Sequence, residues 1–139
     1  MAYAKPLPVL DVWNRPFWAA AREGRLVAQG CESCGHVFFP PGPVCPRCRS
    51  RTLSWRELSG RGRIESWVVF HQNYFKGFLN EMPYNVAMIR LDEGALLMSN
   101  VVGAANDALR IDMPVEVMFE PATDEISIPK FRPAPRDGT

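Results

Sequence analysis

The stretch Cys31-Glu-Ser-Cys34-Gly-His-Val-Phe-Phe-Pro-Pro-Gly-Pro-Val-Cys45-Pro-Arg-Cys48 holds all four cysteines of the chain within eighteen residues. Its spacing is C-x2-C-x10-C-x2-C. Two thiolates on one tight turn reach the same ion. Two such turns facing each other complete the sulfur tetrahedron that Zn2+ takes in structural sites, with bonds of about 2.3 Å. In a reducing compartment, disulfides or a redox dithiol are the poorer reading. Four thiolates leave no open position for water, which argues against a catalytic metal. A structural zinc on Cys31, Cys34, Cys45 and Cys48 is the expectation. Gly35 follows the first pair and takes a left-handed backbone without penalty. Arg49 holds the equivalent place after the second pair, where that conformation costs about 1 kcal/mol. His36 reads as an exposed or locally bonded side chain, since the sulfurs already fill the shell. The apolar, proline-rich loop 35–44 reads as a short hairpin covering the metal.

Upstream, Asn14 to Gly24 reads as one short helix. Asn14 stands at the cap, Pro16 in the first turn and Gly24 at the end. Phe17, Trp18 and Ala21 fall on one face. So short a helix must dock, on the ribbon, on the downstream module or on a partner chain. Trp13, Phe17 and Trp18 are a large apolar load for a terminal arm.

Downstream, the pattern predicts strands at 53–58, 62–71, 85–91, 94–102, 114–120 and 125–130. Val115, Val117 and Phe119 alternate with Glu116, Met118 and Glu120, as a half-buried strand requires. Asp92-Glu-Gly94 is a turn between two strands. Five or six short strands in about 80 residues suggest a small closed barrel, most naturally of OB type. The connection 72–84 is aromatic, with Tyr74, Phe75, Phe78 and Tyr84. It is either a lid or docking loop or a cap on the barrel, and the residues leave both open.

The chain has 139 residues, 47% hydrophobic and 22% charged, which excludes disorder. No apolar run approaches the roughly 18 residues of a membrane span. The start lacks the apolar stretch of a secretion signal, so a cytoplasmic location is expected. The net charge of +1 hides an asymmetry: residues 1–63 carry ten basic and four acidic groups, residues 64–139 six and eleven. The change of sign places a module boundary near Gly60-Arg-Gly62. Arginines 47, 49, 51, 56, 61 and 63 form a basic stretch opposed only by Glu57. They either hold phosphates, of nucleic acid or of a cofactor such as coenzyme A, or form a solvated face. Single-stranded nucleic-acid binding is the alternative function, but it asks for a more basic domain. Motifs for nucleophilic hydrolysis, metalloprotease, phosphate-loop or dinucleotide chemistry are missing from the sequence. His71, beside the aromatic loop, is the one general-base candidate, and a structural role suits it better. On this reading the chain alone is not an enzyme.

The order Gly24-Arg-Leu-Val27, Cys-x-x-Cys-Gly35, Phe39-Pro-Pro41, Cys-Pro-x-Cys48, Trp55-x-Glu-Leu-Ser-Gly-Arg-Gly62, Pro83-Tyr84, Leu91-Asp-Glu-Gly94 and Pro114-Val-Glu-Val resembles one family over about residues 14–132. That family joins a rubredoxin-like zinc ribbon to an acyl-CoA-associated OB fold. The resemblance implies a mainly β chain: an N-terminal helical arm (1–24), a zinc ribbon (25–59), a small OB-fold barrel (60–132) and a tail (133–139). It implies a cytoplasmic, non-catalytic accessory subunit that pairs with a thiolase-like enzyme (a thiolase, an acyl-CoA synthase or an aldolase of thiolase fold) and helps hold a coenzyme A thioester. The four cysteines carry over as zinc ligands; no coenzyme A contact does. Arg61, Arg63, His71, Tyr74, Phe75, Phe78 and Tyr84 stand as candidate ligand or partner contacts.

Overall fold

The computed structural model describes residues 5–72 and 76–135. Among them are one α-helix, α1 (Arg15–Arg22), and eight strands. The strands are β1 (Val27–Cys31), β2 (Val37–Phe38), β3 (Leu53–Glu57), β4 (Arg61–Phe70), β5 (Tyr84–Leu91), β6 (Leu96–Ser99), β7 (Pro114–Pro121) and β8 (Ser127–Pro133). They form a three-stranded sheet ordered β2-β1-β3 and a five-stranded sheet ordered β6-β5-β4-β7-β8. The second sheet curls on itself. A parallel bridge from Val101 to Phe131 ties the chain leaving β6 to β8. That connectivity is the five-stranded, partly open barrel of an OB fold.

The first predicted strand, 53–58, belongs to the ribbon rather than the barrel. β3 pairs along all of β1, from Val27 opposite Glu57 to Cys31 opposite Leu53. The hairpin also sits one step earlier than expected. It is β1 and β2 that pair, around the first cysteine turn, while residues 39–44 fold back over β1. There the Gly42 amide donates to the side-chain Oε1 of buried Gln29 at 2.7 Å.

Helix α1 begins near the predicted place, but Asn14 does not cap it. Its backbone is helical, which aims the side chain backward: Oδ1 accepts from the Asp11 amide and the amide group donates to the Val9 carbonyl. Asp11 instead organises the entry, accepting from the Trp13 and Asn14 amides at 2.8 Å. The buried face of α1 is Phe17, Ala20 and Ala21, with Trp18 half-buried. Phe17 packs edge-on against Trp18 and Phe39.

Ribbon and barrel share one core. Phe17, Leu26 and Ala28 pack in a single cluster with Ile64, Ile89, Val115 and Phe131. The Ser59 amide donates to Glu93 in the β5–β6 turn, fastening the joint from outside. Gly62 marks a close approach between two barrel strands, β4 and β5. A Cβ there would lie 2.5 Å from the Arg90 carbonyl oxygen on β5. Gly62→Ala is therefore expected to cost about 1–3 kcal/mol, the range for overpacking a tight contact, in urea unfolding.

Four charges lock the arm to the barrel. Lys5 bonds Glu81 at 2.8 Å and Glu120 at 3.4 Å, and Glu120 reaches the buried Lys130 at 3.5 Å. Burial pushes the Lys130 ammonium below lysine's ordinary 10.5, although Glu120 opposes it. The unfolded chain thus holds this proton more tightly than the folded one. Stability is expected to rise as pH climbs from the lowered value toward 10.5, and Lys130→Met should remove that part of the rise in a pH series of melting temperatures.

Candidate metal centre and an apolar face

The two cysteine turns are built alike. In the first, the Cys31 amide donates to the His36 carbonyl and the Gly35 amide to the Cys31 carbonyl. In the second, the Cys45 amide donates to the Ser50 carbonyl and the Arg49 amide to the Cys45 carbonyl. Each closes on a left-handed residue, Gly35 at φ 79° and Arg49 at φ 66°. Arg49 therefore bears the expected strain, about 1 kcal/mol. The curl turns backbone N–H groups onto sulfur: the Cys34 amide points at Cys31 Sγ and the Arg47 amide at Cys45 Sγ, both at 3.4 Å.

The turns face each other. Cys31 Sγ lies 3.5 Å from Cys48 Sγ, Cys34 Sγ lies 3.7 Å from Cys45 Sγ, and all four sulfurs lie within 4.8 Å of one another. A tetrahedron with 2.3 Å zinc–sulfur bonds has edges of about 3.8 Å. No pair sits at disulfide distance. Cys31 and Cys45 are buried with Phe38 against Leu53, while Cys34 and Cys48 reach the surface.

The proton balance of the cluster also fits a cation. Burial pushes the Cys31 thiol up, but the backbone amides and neighbouring sulfurs outweigh it and bring Cys31 down to about 6. Cys45 is lowered in the same way, against its own burial. At Cys48 the Ser50 amide pulls downward, yet the crowding sulfurs and burial push it up to about 12. Four thiolates this close need a soft divalent ion to neutralise them, and Zn2+ fits the donor set. His36 stacks on Phe38 at 5.6 Å and is not part of the sulfur cluster.

The remaining candidates do not converge. Arg61 and Arg63 start β4, where Arg63 donates to the Asp112 carbonyl at 3.0 Å. His71 follows the other end of β4, exposed above a shallow cleft with Val69 and Asn106. Tyr84 stacks on Phe70 across the β4–β5 ladder at 5.2 Å. Tyr74, Phe75 and the Phe78 side chain lie outside the described residues; a short 3-10 turn covers Lys76–Glu81. Arg61 and Arg63 thus stand at one end of β4, and His71 and Tyr84 at the other.

What the sequence reading missed is a cavity of about 530 Å3 where arm, ribbon and barrel meet. Phe17, Trp18, Phe39, Met88 and Leu97 line it, and Val9 and Met98 stand at its rim, 84% and 63% exposed. Among the described residues, no charged side chain lines it. Asn14 is the one polar side chain among its described lining residues, and that amide is already spent on the arm's own backbone. The signal was in the sequence as an apolar excess in residues 7–18, but only the fold sets β6 beside it.

Comparison with known proteins gives concordant matches. Residues 18–54 match the model for the ChsH2 rubredoxin-like zinc ribbon domain, and residues 55–120 that for the ChsH2 C-terminal OB-fold domain. A probable enoyl-CoA hydratase alpha subunit of Thermomonospora curvata is 40% identical over 94% of the chain, which spans only 40% of that subunit's length. A DUF35 domain-containing scaffold protein of Methanothermobacter thermautotrophicus is 37% identical, over 72% of the chain and 75% of the relative. Among solved structures, a chain of the Ltp2-ChsH2(DUF35) aldolase superposes with a TM-score of 0.83 at 40% identity, covering 93% of this chain and 100% of that one.

Proposed function

The chain belongs to the ChsH2/DUF35 family, a rubredoxin-like zinc ribbon followed by an OB-fold domain, and from that premise we propose that it is a non-catalytic accessory subunit docking a thiolase-type acyl-CoA enzyme. The apolar face carries this reading. Arm, ribbon and barrel enclose a cavity without a charged lining, rimmed by exposed Val9, Leu96 and Met98. Uncharged apolar surface of this kind on a rigid module marks a protein interface, and the interior of a stable interface is apolar. The aldolase whose ChsH2 chain this one resembles is itself named for two components.

Several titratable groups have structural partners. The four cysteines face one another, His36 is stacked, and Arg63 and Arg90 are bonded to Asp112 and Glu65. In this reading the nucleophile and acid/base groups belong to the partner, and zinc on Cys31, Cys34, Cys45 and Cys48 stiffens the ribbon. Help in holding the coenzyme A thioester is part of the proposal. Calorimetry with acetyl-CoA on the isolated chain should then show weak or no binding until the partner is added.

The test is co-expression with a neighbouring thiolase-like gene product. A stable complex is expected. Val9→Asp and Met98→Asp should each weaken capture about tenfold or more, because a carboxylate placed in an apolar interface stays unpaired. Melting temperatures should stay near wild type, since both side chains are exposed. Failure to co-purify, or capture by both variants at wild-type strength, counts against the docking face.

A further inference from the structure

The two edges of β4 are unequally matched. Along β5, β4 pairs from Gly62 to Phe70. Along β7, only Arg61, Gly62 and Arg63 pair. The last backbone bonds on that side run from the Ile64 amide to the Met113 carbonyl at 3.1 Å and from the Asp112 amide to the Ile64 carbonyl at 2.8 Å. A register shift between Ile64 and Ser66 then makes Glu65 a bulge and swings the strand away from β7. Among the described residues, the backbone of Ser66–Val69 finds partners on the β5 edge alone.

Exposed edges are normally blunted by charge, proline or a covering element. Ser66-Trp67-Val68-Val69 has neither charge nor proline, and Val68 is 55% exposed. Alternate residues of such an edge present unpaired N–H and C=O groups to whatever lies beside them. The charged and polar groups stand at its ends: Glu65, held by Arg90 of the same chain, and His71.

We propose that this edge pairs antiparallel with the same edge of a second copy, centred on Val68, to give a two-fold dimer. In that register Val68 faces Val68, Trp67 faces Val69, and Glu65 faces His71. The apolar middles coincide and the polar ends complement each other; a slip of two residues toward Val69 keeps apolar residues opposite one another but loses the pairing of Glu65 with His71. The contact is isologous, so it closes at two copies, and strand addition supplies its main-chain bonds. No catalytic partner is involved, so failure here leaves the docking reading standing.

The experiment is sedimentation velocity on the full zinc-loaded chain at tens of micromolar. A dimer is expected. Val68→Lys sets two like charges on the axis and should raise the dissociation constant about tenfold or more, with the melting temperature unchanged. Val68→Cys should cross-link to its own copy under mild oxidation, since directly opposed Cβ atoms lie about 4.5–5.5 Å apart. Ser66→Cys, also exposed but opposite Phe70, should not. A monomer at all concentrations overturns the proposal, as does a dimer indifferent to Val68→Lys. Equal cross-linking of both cysteine variants also overturns it. A monomeric wild type whose Val68→Lys variant loses the catalytic partner assigns the edge to a strand of that partner, and so overturns the second-copy reading.

Discussion

Cys45→Ser is expected to abolish stoichiometric metal and to unfold the ribbon, the largest effect of any single change in this chain. Elemental analysis of the purified wild type should give one zinc per chain, and the variant close to none. The reason is the size of the ribbon's own core: Cys31, Phe38 and Cys45, with Leu53 packed against them. A core that small cannot offset the ordering of some 30 residues. Metal binding must supply the difference, and structural zinc contributes about 10–16 kcal/mol of apparent binding free energy in small zinc modules. Serine removes the buried thiolate that the Arg47 amide points toward, and its hydroxyl is a poor zinc ligand. The loss should spread. Leu26 and Ala28 belong to the common core with Ile64 and Phe131, so an unfolded ribbon uncovers one side of the barrel. One cooperative transition at much lower temperature, rather than two, is the expected calorimetric trace. Retention of zinc at wild-type stoichiometry in the variant would remove Cys45 from the ligand set.

Asn85→Leu should cost about 2–5 kcal/mol, although the residue touches neither metal nor apolar face. Asn85 is buried on β5, and its amide works like a piece of backbone. Oδ1 accepts from the Val101 amide at 2.8 Å, and Nδ2 donates to the Val101 carbonyl at 2.8 Å and to Asn106 at 2.9 Å. Val101 leads the segment that closes the barrel. Next to it the Val102 amide donates to the Phe131 carbonyl at 2.7 Å, and the Phe131 amide to the Asn100 carbonyl at 2.9 Å. Leucine fits the volume but leaves both Val101 polar groups buried without partners, and each such orphan costs about 1–3 kcal/mol. Asn106→Ala removes one bond of the same fork and the exposed bond from Asn106 to the Pro83 carbonyl, and should cost about 1 kcal/mol. Urea unfolding of the two variants separates a seam held by Asn85 from one held by apolar packing, which predicts little difference between them.

Legibility in the sequence followed the range of the interactions. The sulfur cluster was readable because C-x2-C is a local constraint: once the backbone curls over five residues, both thiolates have one place to go. The half-buried strand β7 was readable from its alternation. β1 was not, because Val27–Cys31 is buried at every position and shows no period of two. It is the middle strand of its sheet, and the buried Gln29 is satisfied by a loop thirteen residues away. The Asn14 cap failed as an expectation for a related reason: its side chain had better partners upstream in the arm. Asn85 left no local mark and the apolar cavity only the apolar excess of residues 7–18, since their partners come from segments far apart in the chain.

By itself, then, the order of residues determined the clustering of the four cysteines, the mainly β character and the family. These depend on spacings that a few neighbouring dihedral angles fix. Only the tertiary structure decided that β3 closes the ribbon and that Lys5 and Lys130 share Glu120. It alone brought Val9 of the arm beside Met98 of β6 and, among the described residues, left Ser66–Val69 of β4 paired on the β5 side alone. Each of these is a pairing between distant segments, chosen by which contacts bury apolar surface without stranding a polar group, and that competition is settled only when the whole chain is folded.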